Sequence, residues 1–200
     1  NGEVGGIWSS SYQGINRANY ILDALETAEM TDADRARFRG EALWIRATMY
    51  HLLVKYYGGV ALVTVPTKAV DETINVTRST QAETYAFIIK DLEEAATLLS
   101  ASRASGRATQ GAANALLPPV YLETCEYAKA REKATAVIGN STYRLLANYN
   151  DLWTGSNKNS TESIYEVQFT TANGNSASFW FYPTPLGGRL GFAPSQSLIG

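Results

Sequence analysis

The chain has 200 residues, 45% of them hydrophobic and 11% aromatic, enough to bury a substantial core in one domain or in part of a larger one. Its 17 basic and 19 acidic side chains leave a formal net charge of −2, which argues against a nucleic-acid binder, since that would carry a basic patch. A single cysteine, Cys125, excludes a disulfide framework and a thiolate zinc site, and a single histidine, His51, gives little support to a His-based metal cluster or a Ser-His-Asp triad.

Trp8, Tyr12, Ile15, Asn19 and Leu22 recur at intervals of four and three residues, which predicts a helix from about Ile7 to Leu25 with these residues on one face. Asn19 lies inside that apolar stripe. A buried amide needs hydrogen-bond partners, so Asn19 is expected to bridge to a neighbouring helix or loop. "TDAD" then opens a second helix with Thr31 as its N-cap, and the glycines Gly58 and Gly59 end it. Its predicted buried stripe is Phe38, Ala42, Ile45, Met49, Leu52 and Tyr56.

The stretch "VALVTVPTKAVDETINVTR" is β-branched, polar and broken by Pro66. It reads as a loop holding at most a short strand. Thr80 and Glu83 form a capping box for a third helix, whose face is Tyr85, Ile88, Leu92, Ala95 and Leu99. After the polar loop "SASRASGRATQG", two helices form a hairpin that turns between Cys125 and Tyr127, the second burying Tyr127, Ala130, Ala134 and Val137. Pro118 and Pro119 interrupt the first of this pair. Proline inside a helix costs roughly 3 kcal/mol, so that helix is expected to kink sharply or stop near Leu117 and restart with Pro119 in its first turn.

Past Asn148 the period changes. In "SIYEVQFTT", Tyr165, Val167 and Phe169 alternate with Ile164, Glu166 and Gln168, the pattern of a strand. From Ala172 to Gly200 the chain is rich in Gly, Ser, Asn and Pro and reads as long loops. The fold class is thus mainly α. Helical hairpins with Ala and Tyr at close-contact positions suggest tetratricopeptide-like packing over residues 1–148, although the repeat length is irregular; a strand-and-loop region follows over 149–200. No apolar run reaches the roughly 18 residues a membrane helix needs. The sequence begins in mid-pattern at "NGEVGGIW" and stops at "SLIG", and is expected to be an excerpt of something longer.

Five segments, in order, resemble the SusD-like (RagB/SusD) family of Bacteroidetes outer-membrane lipoproteins. Trp8, Tyr12, Ile15 and Asn19 resemble that family's W-x-x-x-Y-x-x-I-x-x-x-N helix. "GEALWIRATMYHLLVKYYGGVALV" is similar to its next helix through Glu41, Ala42, Arg46, Ala47, Tyr50, Leu53, Tyr57 and Gly58. Asp91, Leu92 and Ala95, with Ile88 or Ile89, resemble its I-x-x-D-L-x-x-A helix. "GAANALLPPVYLETCEYAKAREKATAVI" and "ESIYEVQF" are similar to its hairpin and following strand. Two departures stand out: Pro118 and Pro119 replace a usual Ala-Arg, and Ala61 stands where a proline is common.

The resemblance implies a cell-surface, outer-membrane receptor with a helical, TPR-like scaffold. It implies an oligosaccharide ligand, or a peptide in some relatives, handed to a SusC-like TonB-dependent transporter. Family members are longer, so the lipid-bearing N-terminal Cys would lie outside this chain; Cys125, within a helical hairpin, is not that residue. No cofactor, metal or catalytic residue is implied.

Sugar binding uses flat aromatic faces for the C–H face of a pyranose and planar polar groups for its hydroxyls. Trp8, Trp44 and Trp153 each fall on a scaffold motif and are expected in the core. Trp180, in "SASFWFYPTPLGGRLGF", has no such place. Phe179, Trp180 and Tyr182, with Asn173, Asn175 and Arg189, are the candidate ligand contacts, and alternation in an extended segment would set Phe181 on the opposite side from Trp180. Arg46 and Asp91 flank apolar stripes and are expected in structural ion pairs, with each other as one option. Three classes remain open: a glycan receptor, a helical-repeat protein with a peptide or protein partner, and a helical glycoside hydrolase, for which no carboxylate pair can be nominated.

Overall fold

The structure is a computed structural model and describes residues 2–68, 76–102, 106–153 and 157–169. The chain divides after Glu166, and every described helix lies in the first unit, residues 1–166. The order is α1 (Gly2–Ala24), α2 (Asp32–Tyr57), α3 (Gln81–Leu98), α4 (Gln110–Glu123) and α5 (Tyr127–Ile138), then a short 3-10 turn, Tyr149–Trp153. Each helix packs on the next in sequence, and α2 also touches α4. This is the consecutive-hairpin packing expected from the sequence.

The helix starts follow the local chemistry. The Thr31 hydroxyl accepts the Asp34 amide at 3.1 Å and so caps α2. At α3 the capping box is complete: the Glu83 amide donates to the Thr80 hydroxyl at 3.2 Å and the Thr80 amide to the Glu83 carboxylate at 2.7 Å. Thr109 caps α4 in the same way through the Ala112 amide. Gly58 closes α2 at φ +72°, a conformation that favours glycine. α4 and α5 meet at Thr124–Glu126, with Cys125 at φ +60°.

The face predicted for α3 is the face buried: Tyr85, Ile88, Leu92, Ala95 and Leu99 are all at most 5% exposed. The stripe predicted for α2 is buried only in part: Ala42 is buried, and Phe38 and Met49 are half-buried. Ile45, Leu52 and Tyr56 are exposed, whereas Leu43, Ala47, Tyr50, Leu53 and Val54 are buried. Apolar residues lie on several sides of this helix, and Leu43, Ala47, Tyr50 and Val54 repeat at the same four-three-four spacing. With α1 and α3 both packed on it, the buried arc is the one that faces those neighbours. At Gly40 an added Cβ would come within 2.9 Å of Leu99, so a side chain there would press on the α3 terminus.

In α5 Ala130 is buried, and Ala134 and Val137 are half-buried, but Tyr127 is 63% exposed. Tyr127 is the first residue of the helix, at the turn, where the α4 surface gives it no cover among the described residues. Of the sharp kink or stop expected near Leu117, the stop is absent. α4 runs through Pro118 and Pro119 as a continuous helix. The prolines withhold two amide donors, but Leu117, Val120 and Tyr121 around them are fully buried, and that burial offsets the loss. Finally, residues 164–169 form no strand. Their alternation fixes which way side chains face, but a strand also needs a paired backbone neighbour, and the described residues hold only one isolated antiparallel bridge, Ala61 to Arg78.

Candidate functional site

The ligand contacts expected from the sequence (Asn173, Asn175, Phe179, Trp180, Tyr182 and Arg189) lie outside the described residues, as does Phe181. The Trp153 side chain is likewise outside the description. The described residues instead define a buried polar network, a loop strapped to α1 and α2, and an aromatic cleft beside that loop.

Arg46 and Asp91 form the ion pair expected of them. Arg46 Nε and Nη2 donate to the two Asp91 oxygens at 2.7 and 2.9 Å, with both side chains buried. The third arm, Nη1, donates to Asn19 Oδ1 at 2.8 Å, and the guanidinium lies 5.0 Å from the Phe87 ring centre. Burial pushes the Asp91 carboxyl above its ordinary value, and the Arg46 hydrogen bonds and charge pull against that shift. A bidentate pair whose third nitrogen also donates fixes α1, α2 and α3 against one another.

Asn19 is the bridge its position foretold. Its amide donates to the carbonyls of Val63 and Val65 at 2.9 and 3.2 Å. Other side chains hold the same segment. Tyr12 Oη donates to the Ala61 carbonyl at 2.8 Å, and Tyr20 Oη to Thr67 at 2.7 Å. The Thr67 amide donates to Asn16 at 2.9 Å. Tyr50 Oη accepts the Val63 amide at 2.7 Å and donates to its carbonyl at 3.1 Å. Residues 61–67 thus satisfy much of their backbone through helix side chains rather than a sheet. Burial raises the hydroxyl pKa of both Tyr12 and Tyr50, so both stay neutral donors. Tyr12 and Tyr50 were visible as motif residues, but their role as loop holders carried no local sequence signal.

Of the tryptophans expected in the core, Trp44 is buried and lies 4.6 Å from the Tyr165 ring. Its indole N–H has no hydrogen-bond partner among the described residues. Trp8 is not in the core: it is 40% exposed. It sits near the start of α1, one turn beyond the buried part of the stripe, where α2 is already ending. Its ring meets Tyr12 at 4.9 Å and the edge of Tyr57 at 5.0 Å. With Tyr57, Gly59, Val60, Ala61, Val76 and Arg78 it lines a cleft of about 390 Å³. Arg78 donates through Nε to the Gly59 carbonyl at 2.6 Å and through Nη2 to the Tyr57 carbonyl at 2.8 Å. An added Cβ at Gly59 would collide with the Ser79 carbonyl, so only glycine lets the two backbones pass this closely.

Among the described residues no group of His, Cys, Asp or Glu could hold a metal ion. Asp91 is committed to Arg46, Glu41 to Arg107 and Glu94 to Arg39. No described helix is long and apolar enough to cross a membrane.

Comparison with known proteins places this scaffold in a family. Residues 1–122 match the SusD-like family model described as "Starch-binding associating with outer membrane", and the chain belongs to that family. A SusD-like protein of Bacteroides ovatus is 31% identical over 180 residues, covering 83% of this chain and 33% of that protein. The starch-binding protein SusD of Bacteroides thetaiotaomicron is 32% identical over 162 residues, covering 76% of this chain and 28% of its own length. A solved structure of a laminarin-binding SusD-like protein is 36% identical with a TM-score of 0.79, over 87% of this chain and 40% of that one. The chain therefore spans about a third of the length of the curated relatives it matches.

Proposed function

We propose that this chain is the helical part of a cell-surface receptor subunit that captures an oligosaccharide at the outer membrane and passes it to a SusC-like TonB-dependent transporter. The observation that carries this reading is the 36% identity, at a TM-score of 0.79, to a protein described as laminarin-binding. The starch-binding relative points the same way. Attachment to the membrane comes through a lipid on a residue outside this chain. The protein binds and releases its ligand without altering it. Residues from about 149 onward begin the ligand-binding part, with Phe179, Trp180 and Tyr182 stacking on sugar rings and Asn173, Asn175 and Arg189 reaching hydroxyls.

A panel of glycans and peptides, titrated by calorimetry against the full-length protein that contains this chain, tests the proposal. Saturable binding of a glycan, weakened in Trp180→Ala, is expected. Binding to peptides and to no glycan overturns the glycan reading. Unchanged glycan affinity in Trp180→Ala removes that residue from the site.

A further inference from the structure

We propose that the cleft of Trp8, Tyr57 and Arg78 is a second sugar-contacting site, a platform for one or two residues of a neutral glucan. The inference rests on the glycan-binding reading above and adds a location to it on the helical scaffold.

Trp8 is expected in the core from its helical spacing, yet 40% of it is exposed. It is nevertheless held in place. Tyr12 and Tyr57 pack on it, Tyr12 is fixed by its hydrogen bond to Ala61 and its edge contact with Tyr50, and Tyr50 packs on Phe87 in the interior. A run of rings therefore links a surface indole to the core. A large apolar face that is already ordered loses little entropy when a ligand settles on it.

Arg78 supplies the polar half. Two of its N–H groups are committed to the carbonyls of Gly59 and Tyr57, which orients the guanidinium. A guanidinium carries five N–H donors in a planar fork, so donors remain for the vicinal hydroxyls of a sugar. The other walls are Val60, Ala61 and Val76. An indole face, apolar walls and one planar donor make up the mixed lining that a pyranose requires. The cleft volume of about 390 Å³ falls in the range of roughly 300–1,000 Å³ typical of small-molecule sites. Among the described residues the lining holds one cation, Arg78, engaged by two carbonyls, and no carboxylate; the choice of a neutral glucan comes from the glycan-binding reading above.

The test uses the full-length protein and two neutral probes, laminari-oligosaccharides and malto-oligosaccharides, titrated by calorimetry. Trp8→Ala is expected to weaken the probe that wild type binds by about tenfold, as removal of an anchoring aromatic does. Trp8→Phe keeps an aromatic ring and is expected to weaken it less, while preserving the fold if the alanine variant does not. A complementary readout is acrylamide quenching of tryptophan fluorescence, where the part lost in Trp8→Phe should be shielded by the bound glucan. Affinities within twofold of wild type in both variants, with Trp8 still open to quencher, overturn the inference and leave the glycan reading intact. Failure of wild type to bind any glycan overturns both.

Discussion

The α2–α3 interface and the Trp8 corner are both built on aromatic and charged residues, and they end in opposite states. At the interface Arg46 and Asp91 satisfy one another and are closed off from water. At the corner Arg78 is tied to two backbone carbonyls, and Trp8 remains partly open. The difference lies in how many helices enclose each place. Arg46 sits midway along α2, with α1 and α3 on either side. Trp8 lies near the start of α1 beside the last residue of α2, where the helical layer gives out. The same residue types hold a scaffold together when enclosed and present a surface when they are not.

The largest effect is expected at the closed end. Arg46→Ala or Asp91→Ala leaves a buried charge alone and should cost about 3–5 kcal/mol in urea unfolding. A double replacement, Arg46→Met with Asp91→Leu, should recover most of that, because it removes both charges together. If the single variants lose under about 1 kcal/mol, the interface is not as closed as described.

The two tryptophans sharpen the contrast next. Trp44→Ala should cost about 3–5 kcal/mol, as large core truncations do, whereas Trp8→Ala should cost about 1 kcal/mol or less. Trp44→Phe should fall well below Trp44→Ala, since it keeps a ring and removes an indole N–H that has no partner among the described residues. Equal losses at Trp8 and Trp44 would erase the distinction between core and corner.

Thr80→Ala removes the α3 capping box and should cost about 1 kcal/mol. Glu83 belongs to the same cap. Its hydrogen bonds to Thr80 lower its pKa below the ordinary 4.5, so its contribution is complete above that value and is lost as pH falls through the lower folded value.

The smallest effect is at His51. Burial and the Lys55 charge lower its pKa below 6.5, against a raising effect from Glu123. The folded state keeps the imidazole neutral, and the unfolded chain takes up the proton first. Stability should therefore decline as pH falls from about 6.5 toward the folded value, and His51→Gln should flatten that slope in thermal melts at successive pH values.

Helix existence and helix starts were legible because they depend on neighbours in sequence. The Thr31 and Thr80 caps, the Gly58 stop and the turn at Cys125 all follow from residues within four positions of one another. The α3 face was legible because α3 offers one clear stripe. The α2 face was not, since two stripes of equal spacing compete and only the packed neighbours choose between them. Among the candidate functional residues, Asn19 could be inferred as a polar group set in an apolar stripe, and Arg46 and Asp91 as charges flanking such stripes, which must find partners when buried. Arg78 could not: in "INVTRST" it is a polar residue in a polar loop.

The sequence by itself determined five helices and the caps at Thr31 and Thr80, gave the family by resemblance to its motifs, and offered the Arg46–Asp91 pair as one option. The helices and caps rest on short-range spacing, and the ion pair on the rule that buried polar groups are satisfied. Tertiary structure alone decided that α2 turns Leu43 and Ala47 inward, that α4 runs through two prolines, and that Trp8 stays at the surface beside Arg78. The reason is common to all three. Periodicity tells which residues share a side of a helix, but burial depends on what other segments lie against that side, and this is a property of the assembled chain.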